Sequence, residues 1–465
     1  MIQPAEILLP AERARDARPV HLVRPDALDD VLAALSPAQA EWVRSVGFRA
    51  ASGECLLVPG ENGTPALALA GTGKADAAAL AHGALAMKLP EGLWRIEPDG
   101  DNPPSDLLAL GWALSAYRFT TYREPERRPA QLACPENADR REVLLQAEAI
   151  WLGRDLVNTP VEDLGPADLA RHARNMAESF GGRVTVVEGA ALKRDFPLVH
   201  AVGRAAPAER APRLIDITWG RAEAPRVTLV GKGVCFDTGG LNLKPDRGMI
   251  LMKKDMGGAA AALALARMIM AAGLDVRLRV LVPAVENSVG GEAMRPSDII
   301  RSRSGLTVEI GNTDAEGRLI LADALAAAWE EEPDLVIDLA TLTGAARIAL
   351  GPDLPALFAG DEVIAAQLVR IGQEIDDPLW HMPLWTPYEK GLKTDIADIG
   401  NISSDGFAGS IVAALFLRKF VKDPQRWVHL DIFGWNPAGR PARPKGGDVQ
   451  AVRTLFSMLR KRHAS

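Results

Sequence analysis

At 465 residues the chain exceeds the roughly 100–200 residues of one ordinary domain, so two domains are expected. Hydrophobic residues at 48% and charged residues at 24% suit a soluble globular protein with a sizeable core, and a net charge of -7 argues against a general nucleic-acid surface. Three widely spaced cysteines, Cys55, Cys134 and Cys235, form neither a disulfide framework nor a Cys/His zinc pattern, and point to reduced thiols.

The first residues, Met1 to Glu6, lack a basic stretch followed by an apolar run, so no secretory signal is expected. Residues 1–120 alternate alanine-rich helical stretches such as Ala75–Met87 with short apolar runs such as Cys55–Val58, the pattern of a small α/β domain. Between Glu124 and Asn137 the prolines 125, 129 and 135 suggest a linker. A helix from about Asp139 to Leu156 follows, with Val143, Leu144, Ala147, Ile150 and Trp151 on one face. The expected division is 1–135 for the N-terminal domain, 136–160 for a linking helix and 161–465 for the larger domain.

Past residue 160 strands and helices alternate clearly. Val227–Val230, Arg277–Val282, Thr307–Ile310, Leu335–Leu339 and Trp427–Ile432 read as strands. Gly257–Ala272, Leu319–Glu331 and Ser410–Phe420 read as helices. This predicts an α/β/α domain with a central mixed, largely parallel sheet, whose ligands sit beyond the carboxyl ends of its strands. Gly257–Leu274 is apolar apart from Arg267, and its alanines and mid-span charge mark it as a core helix rather than a membrane span.

Two segments carry unusual chemistry. One runs from Gly231-Lys232-Gly233 through Asp237-Thr238-Gly239-Gly240 and Lys244-Pro245 to Lys253-Lys254-Asp255-Met256-Gly257-Gly258. The other is Asn312-Thr313-Asp314-Ala315-Glu316-Gly317-Arg318-Leu319. Together Asp237, Asp255, Asp314 and Glu316 offer four negative charges, which two divalent cations would balance. Carboxylate oxygens suit Mn²⁺ and Mg²⁺, and Zn²⁺ also accepts them. Read as extended, Asp314-Ala315-Glu316 points both acids the same way. Lys232 and Lys244 fit as a ligand that loses its proton beside dications and as a cation for a developing oxyanion. Any one of these residues also fits a helix cap or a surface ion pair, and Asp255 or Asp314 alone fits an N-cap. It is their combination with paired glycines that favours a metal site.

These segments resemble the leucyl aminopeptidase (cytosol aminopeptidase, peptidase M17) family, whose signature octapeptide is complete at Asn312–Leu319. The likeness extends to Asp155-Leu156-Val157-Asn158-Thr159-Pro160, Ala340-Thr341-Leu342-Thr343-Gly344-Ala345 and Trp427–Ile432, covering residues 140–460 with little to anchor 1–135. The resemblance implies a variable N-terminal domain and a catalytic domain that removes N-terminal residues from peptides with two divalent metals, Mn²⁺ or Zn²⁺. By position, Lys232, Asp237, Asp255 and Glu316 would hold the tighter metal, and Asp237, Asp314 and Glu316 the more exchangeable one. Lys244 would polarise the carbonyl, and Arg318 would anchor a bicarbonate serving as general base for the metal-bridging water. Met252 would line the pocket for the first side chain, and Thr341, Leu342 and Gly344 the substrate channel. A cytoplasmic homohexamer acting on peptides with a free N-terminus is implied, with no membrane or nucleic-acid partner.

The sequence departs from the family pattern at Ser297, where glycine is expected, and in the Pro- and Arg-rich stretch Phe433–Pro444, which puts a leucine preference in doubt. Gly71-Thr72-Gly73-Lys74 lacks the first glycine and the following hydroxyl of a phosphate-binding loop. No H-E-x-x-H or G-x-S-x-G motif is present. His429 reads as a satisfied core residue, and Trp151 and Trp435 as packing residues. A binding protein on an aminopeptidase scaffold and a two-metal phosphoesterase are the rival readings; the intact acid and lysine set and the negative charge weigh against the first, and the scarcity of histidines against the second.

Overall fold

A computed structural model describes residues 2–73, 79–97, 105–403 and 405–463. The chain forms two compact units, Met1–Trp151 with Ala438–Lys445, and Leu152–Pro437 with Gly446–Ser465. The division falls within the helix Arg140–Asn158.

The first unit is built on a sheet of six strands: β1 (Leu8–Leu9), β2 (Arg18–Val23), β3 (Cys55–Pro59), β4 (Pro65–Gly71), β5 (Leu93–Glu97) and β6 (Gln131–Ala133). Their order is β1-β6-β5-β2-β4-β3. Strand β6 corrects the linker reading of 124–137. Pro129 and Pro135 bracket a short strand rather than dissolving it, and Leu132 is fully buried between β1 and β5. Residues 75–78 of the expected helix Ala75–Met87, and Lys74 with them, lie outside the described residues; Ala79–Ala84 is a 3-10 turn and Leu85–Lys88 a short helix. Trp151 packs edge-on against Tyr117 and donates from its indole nitrogen to the Ala113 carbonyl.

The second unit carries a nine-stranded mixed sheet. Its strands are β7 (Arg183–Glu188), β8 (Arg213–Trp219), β9 (Arg226–Gly231), β10 (Gly233–Asp237) and β11 (Arg277–Asn287), followed later by four more. Strands β12 (Ile299–Arg301) and β13 (Thr307–Glu309) leave this sheet; β14 (Leu335–Ala340), β15 (Ala356–Ala359) and β16 (Trp380–His381) rejoin it. Strand β17 (Ile399–Gly400) pairs with β13, and β18 (Trp427–Asp431) completes the large sheet. The order is β16-β15-β18-β14-β9-β11-β8-β7, with β10 also on β11. Its centre, β18-β14-β9-β11, is parallel throughout, and antiparallel pairs stand further out, at β8 and β15. The expected strand at 307–310 therefore exists but belongs to a separate three-stranded sheet.

Near-continuous apolar runs in these central strands fit a sheet covered on both sides. One helix layer contains Pro166–Ser179, Gly257–Ala272 and Val452–His463; the other contains Pro197–Gly203, Glu316–Trp329 and Gly409–Arg418. Among the described residues one helical segment is long and apolar enough to cross a membrane, Asp246–Ala272, and 83% of its apolar window is buried as core. Gly258 lets this helix touch the sheet, since a Cβ there would lie 2.2 Å from the Leu339 carbonyl oxygen.

Candidate metal centre

The acids and lysines gather at the carboxyl ends of the parallel strands, where sheet geometry leaves a crevice. Lys232 follows β9 and Asp237 ends β10. Asp255 sits in the 3-10 turn Met252–Met256, and Glu316 opens the helix Glu316–Trp329. Ligand atoms of Asp237, Asp255 and Glu316, all buried, lie within 4.8 Å of one another. Asp314 stands beside this trio, reached through Lys244.

The segment Asp314–Glu316 is not extended, as the sequence reading assumed. It turns, because the Asn312 side chain accepts the Asp314 amide at 2.7 Å and Glu316 already begins a helix. The turn itself is held from afar: Asn401 accepts from the amides of Gly311 and Asn312, and Thr313 exchanges hydrogen bonds with Asn242. Neither Asp255 nor Asp314 caps a helix.

Two lysines balance the acids in part. Lys232 Nζ lies 2.7 Å from Asp255 Oδ2 and 3.0 Å from Glu316 Oε1, and donates to the Thr341 carbonyl at 2.8 Å. Lys244 Nζ lies 2.8 Å from Asp237 Oδ2 and 2.5 Å from Asp314 Oδ1. A side chain at Gly317 would strike Lys232 Cε at 2.5 Å, which is why the octapeptide carries glycine there. Asp237 is fixed through its other oxygen, Oδ1, which accepts from the Gly239 amide and from Asn287 Nδ2, both at 2.8 Å.

Four carboxylates against two ammonium groups leave an excess of negative charge. Burial, reinforced by Asp237, pushes Glu316 up to about 8 and Asp314 up to about 6. Burial works against charge on Lys232 and Lys244, yet the surrounding acids carry both above the ordinary lysine value. The buried oxygens Asp255 Oδ2, Asp314 Oδ1 and Glu316 Oε1 meet lysine nitrogens only as ion pairs, without the angles of a hydrogen bond. Oxygens so placed suit cation ligation.

These groups line a cavity of about 350 Å³ together with Met252, Thr341, Leu342 and Gly344. Ten of the eleven residues singled out from the sequence thus meet in one cavity. Arg318 is not among its lining residues: its Nη1 donates to the Asn401 carbonyl at 2.7 Å, its Nε has no partner, and burial pushes it down to about 10.

Several lining or supporting residues escaped the sequence reading. Asn287, at the end of β11, bridges Asp237 and the Thr313 carbonyl. Asp431 holds the loop after β14, and Thr341 Oγ1 in that loop donates to Asp255 Oδ1 at 2.9 Å. Lys254, Arg347 and Phe433 also line the cavity. The only sequence signal for the last three was their place beside Asp255, the Thr341–Gly344 run and the strand β18. His429 is half satisfied: Nδ1 shares a 2.6 Å hydrogen bond with Asp338, and Nε2 has no partner.

Comparison with known proteins identifies the family. Residues 151–456 match the model of the cytosol aminopeptidase family, catalytic domain, and residues 18–135 match that of the M17 aminopeptidase N-terminal domain. The N-terminal region, which no motif anchored, is thereby covered. A protein of Roseiflexus castenholzii described as "Probable cytosol aminopeptidase" is 41% identical over 76% of this chain and 75% of its own length. A relative of the same description from Syntrophotalea carbinolica is 38% identical over 93% of each chain. Among solved structures, the cytosol aminopeptidase of Coxiella burnetii superposes with a TM-score of 0.92 at 46% identity, covering 96% of this chain and 97% of that one. The bottromycin maturation enzyme BotP in complex with Mn superposes at 0.86 with 35% identity, covering 96% and 99%.

Proposed function

Since the chain belongs to the cytosol aminopeptidase family, peptidase family M17, and is a metal-dependent aminopeptidase acting on peptides, we propose that it works through two divalent ions, Mn²⁺ or Zn²⁺, held by Lys232, Asp237, Asp255, Asp314 and Glu316. The observation that carries the reading is the buried trio Asp237, Asp255 and Glu316, with ligand atoms within 4.8 Å and two further oxygen and amine donors at its edge. The solved Mn complex of BotP supports manganese as one choice.

When bound, two such ions would supply a water of lowered pKa and polarise the scissile carbonyl. The chain's own groups do the rest. Asp237, Asp255, Asp314 and Glu316 would hold the pair through carboxylate oxygens, Asp237 and Glu316 being shared between the two, and Lys232, losing its proton beside the cations, would serve as a further ligand of the tighter one. Lys244 reaches the cavity from the Asp314 side, and its ammonium stabilises the carbonyl oxygen as charge develops there. Arg318, buried with Nε unpartnered though outside the cavity lining, would hold an anion, for which bicarbonate is the candidate, and the chemistry that anion would supply is that of a general base. Met252 receives the first side chain, and Thr341, Leu342 and Gly344 line the path of the peptide. The proposed division takes 161–465 as the catalytic domain, 136–160 as a linking helix and 1–135 as the N-terminal domain, with Ala438–Lys445 falling in the first compact unit. The assembly is a cytoplasmic homohexamer, with a native mass near six times 49.7 kDa.

The test is hydrolysis of a panel of aminoacyl p-nitroanilides after metal stripping and after return of Mn²⁺ or Zn²⁺. Metal-restored release from unblocked substrates, and none from N-acetylated ones, is expected. Release that survives stripping, or that tolerates acetylation, would contradict the reading.

A further inference from the structure

The lining of the cavity divides by charge. All four acids, Asp237, Asp255, Asp314 and Glu316, face Lys232 or Lys244. Three further cations line the same cavity: Arg247, Lys254 and Arg347. Among the described residues, none of the three has a side-chain hydrogen bond or a carboxylate within ion-pair distance. Lys254 is only 7% exposed. Its neighbour Lys253, by contrast, donates to the Asn158 carbonyl at 2.5 Å.

What Lys254 and Arg347 do contact is one aromatic ring. Lys254 Nζ lies 4.9 Å from the Phe433 ring centroid, and Arg347 Cζ lies 5.3 Å from it. Two cations on one ring repel each other, and a buried ammonium with Asp255 and Asp431 near but no carboxylate within ion-pair distance forfeits most of its hydration. A carboxylate entering between them would relieve both costs. An aliphatic side chain would do the reverse, covering Lys254 and leaving it unpaired.

The place of these groups says which carboxylate it is. Lys254 is two residues from Met252, Arg347 is one helical turn from Gly344, and Phe433 lies two residues past the end of β18. Met252 is the residue read above as receiving the first side chain, and Lys254, Arg347 and Phe433 line the same cavity. The geometry points to a preference for an acidic first residue: Lys254 and Arg347, set on Phe433, recognise the side-chain carboxylate of an N-terminal aspartate or glutamate. This rests on the aminopeptidase reading and adds the substrate class.

The experiment compares kcat/KM of the manganese-loaded full chain for the p-nitroanilides of Glu, Gln, Asp, Asn and Leu, at low and at high salt. Charge-assisted hydrogen bonds in a part-buried site favour the acid over its amide by about 10-fold or more. That advantage should shrink with salt, and should fall several-fold in Lys254→Gln and in Arg347→Gln. The second variant lies on an exposed helix position, so it carries the test if the first does not fold. Leucine turned over while acids gain nothing over their amides would overturn the inference and leave the aminopeptidase reading intact. So would a preference for the dipeptide Leu-Gly over its C-terminal amide without any acid-over-amide advantage at the first residue, because the carboxylate read would then be the peptide's own terminus. No turnover of any unblocked substrate would overturn both.

Discussion

Asp431, the last residue of β18, holds Thr343 twice: Oδ1 accepts its backbone amide at 3.1 Å and Oδ2 accepts its hydroxyl at 2.6 Å. The same Oδ1 accepts the Leu342 amide at 3.0 Å. One buried carboxylate thereby fixes the loop after β14, whose Thr341 reaches Lys232 through its carbonyl and Asp255 through its hydroxyl. Removing the acceptor in Asp431→Ala should cost about 3 kcal/mol or more, since buried amides lose their partner. Thr343→Val, which deletes the hydroxyl's bond to Asp431 and its cap on the Ala346 amide, should cost about 1–2 kcal/mol. Urea unfolding measures both. An Asp431→Ala protein as stable as the parent would remove the clamp from the account.

Asp314→Ala and Glu316→Ala should each abolish metal-dependent turnover while the fold persists. Each deletion relieves the crowding of carboxyl groups that burial has already pushed up, so neither should destabilise the metal-free protein greatly. Initial rates with added Mn²⁺ and circular dichroism spectra together check this. Turnover retained in either variant would reassign the site.

Lys244→Ala should act on kcat more than on KM, by on the order of 10²–10³-fold, as expected when one donor to a developing oxyanion is lost. Steady-state kinetics on the unblocked substrate that the parent cleaves fastest give the split. An unchanged kcat would place the electrophile elsewhere.

Asp323 provides a pH prediction away from the metal ligands. It is fully buried in the helix Glu316–Trp329 and accepts the amides of Leu198, Val199 and Arg303. Burial pushes its carboxyl up to about 7, well above the ordinary carboxylate range. The folded state thus binds this proton more tightly than the unfolded state. Its contribution to stability is complete below about pH 4 and is lost as pH rises through 7, at ~1.4 kcal/mol per unit. Asp323→Asn, which does not titrate, should lack that fall. Unfolding free energies of the two proteins at pH 5 and pH 7.5 compare the slopes, and identical slopes would refute it.

The sequence revealed the site where its chemistry is local. Paired glycines around Lys232, Asp237 and Asp255, and the complete octapeptide through Leu319, mark positions where backbone and side chain must approach closely, as Gly317 does against Lys232. The central strands and the core helix Gly257–Ala272 were legible from apolar runs and alanine content. What stayed hidden depends on register between distant segments. Asn287 reaches Asp237 only because β10 and β11 pair in parallel, and Asp431 reaches Thr343 only because β14 and β18 do. The turn at Asp314 looked extended because its hydrogen-bond partner, Asn401, lies 89 residues from Asn312. The strand β6 was masked by flanking prolines, and β7 by an exposed, weakly patterned run.

The central claim, a two-ion centre built on Asp237, Asp255 and Glu316, is tested most directly by calorimetric titration of the metal-stripped protein with Mn²⁺. The account predicts two ions per chain for the parent, one tighter than the other, and fewer than two for Glu316→Gln. A parent that binds one ion or none, or a Glu316→Gln variant that still binds two with parental affinity, would contradict it.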